Sequence, residues 1–145
     1  MLLFFTFLFL GLQDIGEHQN AKNGLAVSGF DVVSYFNADK PKQGLKSISV
    51  KHQGITYQFA NEKNKASFLE DPSKYTPAYG GWCAYAMGVS GDKVKVDPET
   101  FKILDGRLYL FYNFWGNNTL TSWNDDENNL QKKADKYWAN IIGAE

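Results

Sequence analysis

The chain has 145 residues, 43% hydrophobic and 16% aromatic, and its 15 Lys and Arg nearly balance 16 Asp and Glu for a net charge of −1. That length suits one domain around a single core, and so much apolar material excludes a disordered chain. Near-neutrality, with no run of like charge, excludes the electrostatic footprint of a nucleic-acid binder.

In chain order, Met1 to Leu12 (MLLFFTFLFLGL) is almost wholly apolar. A spanning helix needs about 20 such residues, whereas the apolar region of a secretory signal has this length. No Lys or Arg precedes it and no Ala-x-Ala pattern follows it. The expectation is an exported protein, periplasmic or secreted, touching a membrane only through this segment if it is retained. Residues 13–24 are polar, end in Asn23-Gly24 and read as a flexible tether to a folded unit over residues 25–142.

From Ala26 to Phe36, turn residues mix with β-branched and aromatic ones, as in a short strand, a turn and a second short element. Ile48, Val50 and His52 alternate with polar residues, as do Ile55, Tyr57 and Phe59 beyond Gln53-Gly54. A two-residue turn pairs His52 with Ile55, Val50 with Tyr57 and Ile48 with Phe59, all on one inward face. Asn61 can cap a short helix from Glu62 to Glu70, with Phe68 and Leu69 inward and Asp71-Pro72 as its stop. Asp105-Gly106 turns a second hairpin, with Phe101, Ile103, Leu108, Leu110 and Tyr112 on a shared face. Leu120, Trp123, Leu130, Ala134, Tyr137 and Ile141 form the stripe of an amphipathic C-terminal helix, with a restart capped by Asn124 and Glu127. No internal repeat or low-complexity tract is read here. The expected fold is α+β: a small single domain with two β-hairpins, a short helix after the first and an amphipathic helix at the C-terminus.

Several of these segments resemble the YHS domain family. Gly54-Ile55-Thr56-Tyr57-Gln58-Phe59, Phe68, Asp71-Pro72 and Tyr75 are similar to its signature. Val27 to Tyr35, Tyr79 to Ala86, Asp97-Pro98 and Asp105 to Leu110 with Tyr112-Asn113 resemble motifs of a longer, often exported subgroup. The resemblance runs from about Leu25 to Trp138. It implies metal-trafficking ancestry, but Ser28, Ala60 and Asn64 stand where the short domains carry cysteines. Without thiolates a soft-metal site of that type cannot form.

Cys83 is the lone cysteine, so an intrachain disulfide and an all-cysteine zinc site are excluded. It lies in the densest cluster of unusual residues, Tyr75 to Ala86. One reading makes Cys83 a metal ligand with His52 and Asp31, for copper, zinc or iron, and makes Tyr79, Trp82 and Tyr85 the walls of a cofactor pocket. The other makes Cys83 a buried structural thiol and the aromatics core. His18 reads as solvated in the tether. No nucleophile elbow, phosphate loop or zinc-protease motif occurs. The functional expectation is an exported YHS-like module binding a transition metal or metal-containing cofactor near Cys83. Alternatives are a structural or protein-interaction domain, and a thiol-dependent redox enzyme.

Overall fold

The computed structural model describes residues 15–144, so the apolar segment over residues 1–12 lies outside the described residues. The architecture is α+β. Strands β1 (Ala21–Lys22), β2 (Leu25–Ala26), β3 (Leu45–His52) and β4 (Ile55–Phe59) form one sheet ordered β1-β2-β4-β3. Helix α1 (Ser34–Asn37) precedes β3; α2 (Glu62–Glu70) and α3 (Pro72–Tyr75) follow β4. Helix α4 (Ala84–Ser90) leads into a hairpin of β5 (Asp97–Leu104) and β6 (Arg107–Phe111). A two-stranded ribbon, β7 (Asn113–Phe114) and β8 (Asn117–Asn118), then joins α5 (Thr119–Asp125) and α6 (Glu127–Ile141).

Local chemistry sets several of these boundaries. The Asn61 side chain accepts the Asn64 N–H at 2.8 Å and starts α2, which ends at Asp71 before Pro72. Phe68 is fully buried, but Leu69 points outward, because adjacent helix positions lie about 100° apart and only one can face the core. The first hairpin keeps its predicted pairs His52–Ile55 and Val50–Tyr57, while Phe59 pairs with Leu45 rather than Ile48, since β3 bulges between Leu45 and Ser49. The C-terminal helix breaks at Asp126. Glu127 does not cap that restart: its carboxylate accepts the Trp123 indole N–H at 3.0 Å and pairs with Lys102. Tyr137 lies exposed over Gly91, and Trp138 is the inward aromatic.

Of the tether expected over residues 13–24, the described part from Ile15 onward is docked. Asn20 bonds the carbonyls of Gly80 and Gly81 through its N–H and its side chain, and β1 pairs with β2. The His18 carbonyl accepts the Trp82 indole N–H at 2.7 Å, and the His18 ring meets Lys93 at 3.2 Å. Polar composition concealed this docking because the segment uses main-chain and amide hydrogen bonds rather than apolar burial.

The chain also contains an internal repeat, contrary to the reading above. Ala26 and Ala78, Gly29 and Gly81, Phe30 and Trp82, Gly54 and Gly106, Tyr57 and Tyr109, and Phe59 and Phe111 all stand 52 positions apart. Val27, Ser28 and Gly29 have φ of 49, 53 and 84°, and their counterparts Tyr79, Gly80 and Gly81 have 55, 62 and 82°. After each left-handed triplet, an N–H reaches the same place: Asp31 to Lys42 O at 2.8 Å, Cys83 to Val94 O at 2.9 Å. Both hairpins join an eight-residue strand to a five-residue strand, with three residues of the long strand passed over at the same point. Beyond them the offset becomes 55. Phe68 packs on Tyr57 and Phe59 at 4.8 and 5.1 Å, as Trp123 packs on Tyr109 and Phe111 at 5.6 Å each.

Each half has its own core, one around Phe59 and Phe68 and one around Phe111 and Trp123. They are joined by β6, whose two faces divide between them: Leu108 and Leu110 enter the first core, Tyr109 and Phe111 the second.

Candidate functional site

The repeat defines what Asp31 and Cys83 do, because they occupy equivalent places. Asp31 is fully buried. Its Oδ1 accepts the N–H of Val33 at 2.9 Å and of Ser34 at 3.2 Å. Its Oδ2 accepts the Ala60 N–H at 2.9 Å and the Asn64 amide at 2.7 Å. Cys83, also fully buried, accepts the Tyr112 N–H at 3.3 Å and meets Thr119 Oγ1 at 3.5 Å. Ala60 and Tyr112 stand 52 apart, and Asn64 and Thr119 stand 55 apart. In each half, one buried side chain ties the helix start to the residue just past the hairpin and to the first turn of the next helix.

This network leaves little for a metal. Four donors already occupy the Asp31 oxygens. The Thr119 hydroxyl donates to Tyr112 O at 2.6 Å, which leaves its oxygen as the acceptor in the contact with Cys83 Sγ. His52 is half-buried elsewhere, edge-on to Tyr57 and Phe68 at 6.2 and 5.6 Å. Cys83, His52 and Asp31 are not brought together: among the described residues no three His, Cys, Asp or Glu side chains are grouped to hold a metal ion. Ser28, Ala60 and Asn64 supply no thiolate. The residues present do not fit a soft-metal site.

The three aromatics expected around one pocket separate as well. Tyr79 faces a cleft between the two halves, Tyr85 lines a hollow on another side, and the Trp82 indole is bonded to the N-terminal segment.

The cleft, about 300 Å³, is walled by Gln53, Tyr57 and Thr76 from the first half, Tyr79 and Arg107 from the second, and Trp138 of α6. Gly80 forms part of its floor, where a Cβ would stand 2.7 Å from the Trp138 ring. Tyr79 holds a left-handed conformation that costs an L-residue about 1–2 kcal/mol.

Arg107, the only arginine in the chain, lies over the rings of Tyr79 and Tyr109 at 5.1 and 5.4 Å and pairs with Asp135 at 3.2 Å. Burial works against its charge, but Tyr109, Tyr79 and Asp135 outweigh that and raise its pKa further. The Tyr79 hydroxyl donates to the same Asp135 oxygen at 2.8 Å. Burial first, then that hydrogen bond, push its phenol far above the usual range, so Tyr79 stays neutral. The planar guanidinium is thereby held by two rings and one carboxylate, an arrangement lysine cannot make. Its place is that of Ile55 in the first half, which is buried core.

Sequence reasoning missed Arg107, Asp135 and Trp138. The one available signal was that a chain with 15 cationic side chains uses arginine once. Comparison with family models, with curated proteins and with solved structures found no match.

Proposed function

We propose that the chain is an exported, YHS-like binding module without catalytic activity, holding a small anionic ligand, a carboxylate or a phosphate, in the cleft between its two halves. The observation that carries this reading is the Arg107 guanidinium, fixed on two tyrosine rings at the cleft wall. Its side chain is 43% exposed, and five N–H donors exceed what Asp135 uses. Bidentate recognition of carboxylate or phosphate is what a pre-oriented guanidinium does well. Gln53, Thr76 and Gln19 add neutral hydrogen-bonding groups nearby. Among the described residues the lining holds amide, hydroxyl and guanidinium groups and no His, Cys, Asp or Glu, which favours binding over acid–base or nucleophilic chemistry.

The test is an NMR titration of ¹⁵N-labelled protein with acetate, citrate and inorganic phosphate, following the Arg107 side chain and the Trp138 indole. At least one anion should give saturable shifts that Arg107→Gln abolishes and Arg107→Lys weakens about tenfold or more. No saturable shift with any of the three up to about 10 mM would overturn the reading.

A further inference from the structure

The two halves differ most in one place. The change of offset from 52 to 55 lies between Tyr112 and Thr119, so the second half carries three extra residues there. They fall in the β7–β8 ribbon, which turns at Trp115-Gly116. Trp115 is 96% exposed and sits at φ +55°, a conformation in which a bulky residue is a genuine outlier. The first half builds the same core without this ribbon, so the fold does not require Trp115. A strained, solvent-exposed indole on a dispensable insertion points to use outside the molecule.

Beside the ribbon lies a hollow of about 330 Å³, with Cys83 at its base and Tyr85, Ala86, Val89 and Val94 in its walls. The ribbon's own arm contributes Tyr112 and Asn117 to the rim. In the first half the matching positions of Ala86, Val89 and Val94 are Ser34, Asn37 and Lys42, and polar bonds fill the space: Lys42 N–H to Ser34 Oγ, Asn37 to Asn64. In the second half Ala86 and Val89 replace the Ser34 hydroxyl and the Asn37 amide, and Val89 is left 51% exposed. The ribbon thus presents an exposed indole, and beside the ribbon lies a hollow whose walls are mostly apolar, with Ser90, Asn117 and Thr119 as its polar groups.

We infer that this face pairs with a second copy of the chain, each Trp115 entering the partner's hollow about a two-fold axis. Adjacent knob and hole on one surface are self-complementary, as an isologous interface requires. An aromatic side chain buries roughly 150–250 Å². Two knobs and the walls they cover therefore amount to roughly 600–1,000 Å², below the standard specific interface and in the range of weak, transient ones. The dimer is accordingly weak and reversible.

Sedimentation velocity of the folded chain from about 5 to about 500 µM tests this. The weight-average sedimentation coefficient should rise with concentration toward that of a dimer. Trp115→Ala and Val89→Glu, both at exposed positions, should each remain monomeric throughout while keeping the wild-type unfolding temperature. A wild-type chain that stays monomeric overturns the inference, including the case in which Trp115 fluorescence responds only to lipid vesicles. So does association that survives either substitution, since knob and hole are both required.

Discussion

Replacing Asp31 with Asn separates an anchoring role from a ligand role. The carboxylate accepts four hydrogen bonds at full burial. An amide keeps one accepting oxygen and turns an NH₂ toward two donors at the other position. Hydrogen bonds to a charged group are worth about 1.5–3 kcal/mol each, so two lost bonds amount to roughly 3–6 kcal/mol. Part is recovered if the Asn64 amide turns over and accepts from the new NH₂, giving up its bond to Asn37. The expected loss is therefore about 3 kcal/mol, a large share of the 5–15 kcal/mol typical of a domain. In urea denaturation, with a slope near 1.5 kcal/mol/M, the midpoint should fall by about 2 M with the slope unchanged. A loss below about 1 kcal/mol would refute the anchoring argument. So would a wild-type chain that binds zinc stoichiometrically and loses it on this substitution.

Gly88 in α4 lies so close to α6 that a Cβ would stand 2.7 Å from the Leu130 carbonyl oxygen. Gly88→Ala gains about 1 kcal/mol of helix propensity but forces backbone apart at about 1–3 kcal/mol, so a net loss of stability is expected in the same assay; a stabilised variant would show that α6 yields freely. Cys83 should resist thiol reagents in the native state and react only as fast as the chain unfolds, and Thr119→Val should cost about 1–2 kcal/mol by leaving the thiol and the Tyr112 carbonyl short of a partner. Rapid native labelling would revive the metal and redox readings. Burial raises the Tyr57 phenol from 10.0 to about 12, and Tyr35 and Tyr79 also move upward, burial being the main cause in each. A raised phenol contributes stability that is complete below pH 10 and lost as pH climbs through about 12. Urea midpoints should hold steady from about pH 9 to 10 and fall beyond; a flat profile to pH 12 would contradict the burial of these hydroxyls.

The sequence by itself determined the elements whose causes are local. Alternation placed the two hairpins, Gln53-Gly54 and Asp105-Gly106 placed their turns, and the Asn61 cap with Pro72 bounded α2 at both ends. Pairing departed from the expectation where β3 bulges, since alternation predicts an unbroken strand, and Tyr112, expected on the face shared by Leu108 and Leu110, lies past the end of β6 with its N–H bonded to Cys83 Sγ.

The tertiary structure alone decided the rest. The repeat escaped notice because its fixed positions are a few glycines and aromatics, the offset shifts by three, and the central anchor changes from Asp31 to Cys83. A carboxylate and a thiol look unrelated as letters, yet both accept an N–H in the same pocket of the backbone. The candidate site escaped for a similar reason. Arg107, Tyr79, Asp135 and Trp138 are spread over 60 positions of sequence, and none has a meaningful spacing until β6 is buried on both faces between the two cores. The proposed ligand cleft and the proposed pairing face both lie where the two halves depart from each other, and that departure is visible only once they are laid side by side in space.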